Sequence, residues 1–433
     1  MTYRYAIATL GCKTNQADSA DILGRLDPGV FQRVPFEEKA DAYVVNSCTV
    51  TGAADRQSRQ LLYRARRLNA DALTIMTGCY ANVASETLGQ MKDVDFVVTR
   101  KDQHQIIEIL VQAARKAGYQ PLDVDLGPIF VGLDRPFLRI QEGCEEFCAY
   151  CIVPMARGPL KSVPEAQVLA MLEMFAKQGA QEVVLTGTHV GKWGKDLAGM
   201  PELGCLMRKI GEKRLVPRLR MSSLEPMDIA DDVLSAMVEF PEFCPHLHIP
   251  IQSAADEILL RMKRPYTVSF LAEKLERIRK AIPHIGIGFD VIAGFPGESE
   301  KHFEETLKNL SELPFDYLHV FPFSERPGTE AAAMSGKVKE SVKRERAREL
   351  ATLGQERRKK KAEAMLGQSV SVLIEKGKDA EGRWRGFTGD YHPVTLTRGN
   401  NMTNRIIKVK VRSLLEDSFR LLAEPMDSDT LAS

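Results

Sequence analysis

Short apolar runs, each bounded by turn residues and followed by a helical stretch, recur along most of this chain. In the first ~118 residues the runs are Tyr5–Leu10, Ala42–Val45, Leu73–Met76 and Phe96–Val98, with helical stretches such as Asp55–Leu68 and Lys101–Lys116 between them. Runs this short, apolar throughout, belong to strands buried on both faces. Residues 1–118 therefore read as a small parallel α/β domain. After a linker around Gln120–Asp134 the pattern resumes, with strands expected at Phe137–Gln141, Glu182–Thr186, Arg218–Ser222, His246–Ile251, Gly286–Ala293 and Tyr317–Phe323. Helical stretches intervene, among them Pro164–Lys177, Ile229–Phe240, Thr267–Ile282 and Glu300–Leu310. Six β/α steps over 135–365 imply an incomplete parallel (β/α)6 barrel, although a doubly wound sheet fits the same period. From Ser369 the period drops to two, in SVSVLIEKG and RIIKVKVRS, which indicates a small antiparallel β-barrel over 366–428. The tail after Pro425 is expected to be disordered. The fold class is thus α/β with a carboxyl-terminal β-barrel.

Composition excludes several classes. Hydrophobic residues make up 44% and charged residues 27% of 433 positions, which rules out a disordered or collagen-like chain. The net charge is only +1, so any contact with nucleic acid must come from a local basic patch. Two patches are candidates. Arg56, Arg59, Arg64, Arg66 and Arg67 crowd one helical stretch, and Arg357, Arg358, Lys359, Lys360 and Lys361 stand in a row within Val342–Ala364. Each fits phosphate contacts or a solvated face equally well. No apolar stretch reaches about 18 residues without a charge, so no membrane association and a cytoplasmic protein are expected.

Eight cysteines are too sparse for a disulfide scaffold, and spaced cysteines in a reducing compartment point to metal or catalysis. Cys12, Cys48 and Cys79 each fall just past an expected strand, in TLGC, VVNSC and MTGC. The carboxyl ends of parallel strands lie together at one edge of the sheet, where ligands bind. Three distant thiols then converge on one point and read as metal ligands; the plain alternative is three small buried thiols. Cys144, Cys148 and Cys151, in GCEEFCAYC, have the spacing C-x3-C-x2-C and follow the first barrel strand. Three thiolates can hold a four-iron cluster while leaving one iron open to a small molecule. A zinc site would want a fourth ligand, and no further cysteine follows nearby. Cys205 and Cys244 stand alone and are expected to be buried or semi-buried. His246 and His248 alternate along one strand and share a face that lines the barrel or packs.

C-x3-C-x2-C with Tyr150 between its last two cysteines is the radical S-adenosylmethionine (SAM) spacing. With LGCKTN, VVNSCTVTGAADRQSRQ, TGCYA, VVLTGTHVG, RMSSLEP, HLHIPIQS, DVIAGFPGE and FPFSERPGT also present, the chain resembles a radical-SAM methylthiotransferase over nearly its whole length. The resemblance implies two [4Fe-4S] clusters. One, on Cys144, Cys148 and Cys151, would bind SAM and generate the radical. The other, on Cys12, Cys48 and Cys79, would carry the sulfur to be inserted, with a further SAM giving the methyl group. It implies SAM contacts at Tyr150, Gly187, Ser223, Glu225, Gln252, Gly294 and Phe321, each of which has a turn or packing role as its alternative. The carboxyl-terminal barrel resembles an RNA-binding TRAM domain. The implied partners are a tRNA anticodon stem-loop with its adenosine 37, an electron donor and a sulfur donor. NSCTVTGAADRQSRQ and LGCKTNQAD are most similar to the branch acting on N6-threonylcarbamoyladenosine. Alternatives are N6-isopentenyladenosine, an aspartate of a ribosomal protein, and, from another class, a non-catalytic iron–sulfur RNA-binding sensor. Ala254 and Ala255, Met155 and Thr14 depart from the family's usual residues.

Overall fold

The computed structural model describes residues 2–128, 134–397, 402–415 and 418–426; part of the linker and nearly all of the expected disordered tail lie outside them. Two compact units emerge, and each is assembled from separate stretches of chain. The first comprises Met1–Val131, Gln141–Lys161 and Ser324–Ala332; the second comprises Gly132–Ile140, Ser162–Phe323 and Ala333–Ser433.

In the first unit, strands β1 (Tyr3–Thr9), β2 (Phe31–Arg33), β3 (Ala42–Ser47), β4 (Leu73–Gly78) and β5 (Phe96–Val97) form a parallel sheet in the order β2-β1-β3-β4-β5. All six residues of β3 are buried. Val44 and Ile75 meet Ile106 and Leu110 on one face, while Tyr43, Val45 and Met76 meet Leu62 on the other. That double burial is why the strands read as unbroken apolar runs rather than alternating ones. The helix Gly52–Leu68 starts on Thr51, whose hydroxyl accepts from the Ala54 N–H, so the chain turns sharply just after Cys48.

The second unit carries β6 (Phe137–Arg139), β7 (Glu182–Thr186), β8 (Arg218–Met221), β9 (His246–Gln252), β10 (Gly286–Ala293) and β11 (Tyr317–Pro322). These are parallel within two triplets, β8-β7-β6 and β9-β10-β11. Isolated bridges Leu219–Phe243 and Ser223–His248 join the triplets. Sequential strands on both sides of that seam make the six-step incomplete barrel rather than a doubly wound sheet. Helices at Leu203–Lys213 and Asp256–Arg261 add to the expected ones. The long helix Glu340–Ala364 lies against β11. Strands β12 (Ser369–Lys378), β13 (Trp384–Thr388), β14 (Pro393–Leu396), β15 (Ile406–Leu414) and β16 (Leu421–Pro425) close a barrel in the order β12-β13-β14-β16-β15. Val372, Ile374, Val394, Val409 and Leu421 fill it.

Polar groups lock this unit together. Arg220, 1% exposed, donates from Nε to Glu182 at 2.6 Å and from Nη1 and Nη2 to the Gly389 and Thr388 carbonyls at 2.9 and 3.2 Å. Burial alone would raise the Glu182 carboxyl, but Arg220, Arg135 and Arg218 hold it below the ordinary range. The row of basic residues turns largely inward. Arg357 donates to the Ser311 carbonyl, Arg358 lies over the rings of Tyr317 and Phe419, and Lys361 pairs with Asp390 at 3.4 Å. Lys359 and Lys360 alone of the five are exposed. Cys244 is buried as expected, whereas Cys205 is exposed: it sits on the outer face of its amphipathic helix, away from Leu206, Met207 and Ile210.

Candidate functional site

Both cysteine triplets fall in the first unit. Cys12 follows β1, Cys48 follows β3 and Cys79 follows β4, the three strands that stand side by side. Asn15 Oδ1 lies 3.9 Å from Cys12 Sγ and 3.8 Å from Cys79 Sγ. The Asn15 amide donates to the Leu10 and Ser47 carbonyls at 2.7 and 2.9 Å, so one side chain ties the ends of β1 and β3. Two glycines let the thiols approach. A Cβ on Gly11 (φ +91°) would sit 2.8 Å from Cys48 Sγ, and one on Gly78 (φ +89°) would sit 2.4 Å from the Ser47 carbonyl. No other residue type takes this backbone and leaves that space.

Cys12, Cys48 and Cys79 form no disulfide among the described residues. Burial pushes the Cys48 thiol up to about 11, with Cys79 and Cys12 raising it further. Burial raises Cys79 as well, while Arg157 and Arg100 pull it back. Three thiols that perturb one another, without a fourth cysteine beside them, fit a metal cluster that displaces their protons on binding. They do not fit a disulfide.

The C-x3-C-x2-C segment forms a tight loop, with the Cys144 N–H donating to the Gly158 carbonyl at 3.1 Å and the Cys151 N–H to Cys148 at 2.9 Å. Cys144, Cys148, Tyr150 and Cys151 are half-buried. Segment Ser324–Ala332, from the FPFSERPGT motif, supports both triplets. Arg326 donates to Thr49 Oγ1 at 2.8 Å and Asp55 at 2.5 Å, and the Ser324 hydroxyl accepts from the Gly52 N–H at 3.1 Å. The Ala331 N–H donates to the Ala149 carbonyl at 2.7 Å. Replacing Arg326 with alanine leaves Asp55 buried and unpaired and frees the Cys48 loop. In the cluster reading proposed below, a chelator is then expected to strip iron from that triplet about tenfold faster, with Arg326→Lys intermediate. Equal stripping rates in Arg326→Ala and parent protein would show that the clamp does not support Cys48.

The remaining candidates lie in the second unit. Gly187 directly follows β7; Ser223 is exposed at the β8–β9 bridge; Glu225 is ion-paired with Arg264. Gln252 ends β9 in the left-handed region, φ +65°, a backbone conformation that is costly for a residue with a side chain. The Gly294 N–H donates to Glu298 at 2.9 Å after β10, and Phe321 on β11 is 45% exposed. These positions sit at or next to the carboxyl ends of successive strands, where parallel barrels bind ligands. Ala254 and Ala255 are fully buried. His248 and His319 both contact Asp290, at 2.8 and 3.3 Å, and although burial works against it they bring its carboxyl down to about 2. Sequence reasoning singled out His248 but passed over its two partners.

Residues 4–99 match the Uncharacterized protein family UPF0004 and residues 138–310 the Radical SAM superfamily. Threonylcarbamoyladenosine tRNA methylthiotransferase MtaB of Bacillus subtilis (strain 168) is 36% identical over 422 residues, covering 94% of this chain and 93% of its own length. This chain belongs to the radical-SAM methylthiotransferase family. A methylthiotransferase of a second kind, the tRNA-2-methylthio-N(6)-dimethylallyladenosine synthase of Syntrophus aciditrophicus (strain SB), is 33% identical, covering 85% of this chain and 83% of its own. Among solved structures, the radical S-adenosylmethionine methyltransferase TsrM from Kitasatospora setae shares the fold, with a TM-score of 0.53 over 77% of each chain at 14% identity. No described helix of this family member is long and apolar enough to cross a membrane.

The arginines of helix Gly52–Leu68, for which phosphate contacts and a solvated face stood equally open, are mostly engaged within the first unit. Arg66 donates to the Ala70 and Ala72 carbonyls and pairs with Asp95, Arg59 donates to the Tyr80 hydroxyl, and Arg64 pairs with Glu37. Arg56 and Arg67 alone of the five are exposed.

Proposed function

We propose that this chain converts N6-threonylcarbamoyladenosine at position 37 of tRNA to its 2-methylthio derivative, in the cytoplasm. The observation that carries the reading is the convergence of Cys12, Cys48 and Cys79 at one sheet edge in a chain similar, over 94% of its length, to a Bacillus subtilis enzyme named for that nucleoside. Similar enzymes of Aquifex aeolicus and Rickettsia prowazekii bear the same name at 35% and 33% identity.

In this reading Cys144, Cys148 and Cys151 hold one [4Fe-4S] cluster and Cys12, Cys48 and Cys79 another. Held there, the first would supply the electron for reductive SAM cleavage that C–H activation at C2 needs, and the second would supply the sulfur. The chain's own residues bind and orient. Tyr150 shapes the first loop, and Gly187, Ser223, Glu225, Gln252, Gly294 and Phe321 hold the nucleoside and methionine parts of SAM. Glu225 is already fixed by Arg264, so it presents a set carboxylate. Within the two basic runs, Arg56, Arg67, Lys359 and Lys360 are the exposed cations left for tRNA phosphates, alongside a TRAM-like carboxyl-terminal barrel. An electron donor and a sulfur donor complete the system.

Nucleoside mass spectrometry tests this. The reconstituted protein meets SAM, sulfide, a reductant and two tRNAs under anaerobic conditions, one with threonylcarbamoyl-adenosine and one with isopentenyl-adenosine. A methylthio adduct on the first alone is the expected result. Adduct on the second alone would move the chain to the branch of the Syntrophus relative. Adduct on neither, with 5′-deoxyadenosine formed, would overturn the tRNA substrate.

A further inference from the structure

We infer that Arg157 sets the electrostatic potential at the Cys12–Cys48–Cys79 centre and thereby holds an anionic sulfur species there, an inference that rests on the proposal that those thiols carry a cluster. Arg157 ends the helix Val153–Arg157, which follows the C-x3-C-x2-C loop, and its side chain is 2% exposed. Its Nη2 donates to Asn15 Oδ1, the atom that faces both Cys12 Sγ and Cys79 Sγ, and to Asp18 Oδ2 at 3.2 Å. Asp18 is fully buried and shared with Arg100 at 2.7 Å, and Glu142 receives both guanidiniums. Two cations and two carboxylates thus form a balanced quartet inside the protein.

Burying Arg157, Arg100 and Asp18 is costly, and apolar packing would stabilise the fold as well or better. The arrangement has a use only if its polarity matters. Arg157 Nη2 meets the same Asn15 oxygen that lies 3.9 Å from Cys12 Sγ and 3.8 Å from Cys79 Sγ, so this cationic end of the quartet lies toward the thiols. Three thiolates on a cluster already leave negative charge at this spot, and hydrosulfide adds more. Arg157 offsets that repulsion and also covers the Asn15 carbonyl dipole, which would otherwise point its negative end at the sulfurs. Hydrosulfide enters as an anion in exchange for water, so no electron or proton needs another partner.

The test uses the full chain with Cys144, Cys148 and Cys151 all replaced by alanine, leaving only this centre. It is reconstituted anaerobically, freed of sulfide, and titrated with sodium hydrosulfide while the reduced centre is followed by EPR; the midpoint potential is measured separately. With about four irons bound, Arg157→Gln is expected to bind hydrosulfide at least tenfold more weakly and to have a more negative midpoint. Arg157→Lys restores most of both. Asp18→Asn, which removes negative charge from the same quartet, moves the midpoint the opposite way and serves as the readout if Arg157→Gln fails to load. Unchanged affinity and midpoint in a fully loaded Arg157→Gln protein would overturn the inference, as would an unmoved midpoint in Asp18→Asn. A parent protein without iron at this centre would instead refute the cluster proposal itself.

Discussion

Cys148→Ala is expected to abolish 5′-deoxyadenosine formation, whereas Cys12→Ala keeps it and loses only the thiolated product. The two triplets are built differently. Cys12, Cys48 and Cys79 are set by three strand ends and Asn15, while Cys144, Cys148 and Cys151 are set by one short loop. Losing one thiol of three leaves a cluster held by two ligands, too few to retain it. Each variant should therefore fall from about eight irons to about four, with opposite chemical consequences. Iron analysis and chromatography of the SAM cleavage products measure both. Normal methylthiolated product from Cys12→Ala would remove Cys12 from the reaction.

Arg220→Ala is expected to weaken the second unit by about 3 kcal/mol, the scale for removing one partner of a buried ion pair. Three effects combine. Glu182, 1% exposed, loses its closest cation; the Thr388 and Gly389 carbonyls lose a donor; and the Tyr391 ring, 4.9 Å from the guanidinium, loses its stacking partner. Arg135 and Arg218 remain 3.5 and 3.8 Å from the carboxylate, which limits the loss. Hydrogen exchange across residues 386–392 and the apoprotein's denaturation midpoint report it. Arg220→Leu with Glu182→Leu should be less damaging than Arg220→Ala alone, because no buried carboxylate is left unpaired. A double variant as unstable as the single one would place the stabilisation in the carbonyl contacts.

The barrel strands were legible because each is buried and short, and their order follows from right-handed β/α connections. Helix Lys13–Leu23 was not, and the reason is physical. Its buried side includes Thr14, Asn15, Asp18 and Ser19, polar because that side meets the thiols, so hydrophobic period gives no signal. Strand β2 has one inward side chain, Phe31, which is too little for a pattern. The six cysteines stood out by spacing and by their repeated position after strands. The charges that serve them did not. Arg100 pairs with a residue 82 positions away and Arg157 with one 139 away, and in sequence each looks like any surface arginine. Arg66 shows the converse: it sat in a run that fitted phosphate contacts or a solvated face equally well, yet it caps carbonyls just before β4. RMSSLEP and HLHIPIQS marked strand ends correctly, but only coordinates reveal that Gln252 is left-handed there.

The clamp on the Cys48 loop also has a consequence in time. Thr49 and Arg326 are 277 positions apart. At about 5–20 residues per second, translation separates their appearance by roughly 14–55 seconds. From the moment Cys151 is made, roughly 9–35 seconds of that interval remain in which the nascent chain carries all six cysteines of the two triplets but not the segment that braces both loops. In the proposed reading, cluster assembly on a braced scaffold waits until Ser324–Ala332 has been made, and until then the newborn thiols are open to oxidants and stray metals. A chain stalled or truncated before Ser324 would display all six cysteines without the segment that braces their loops.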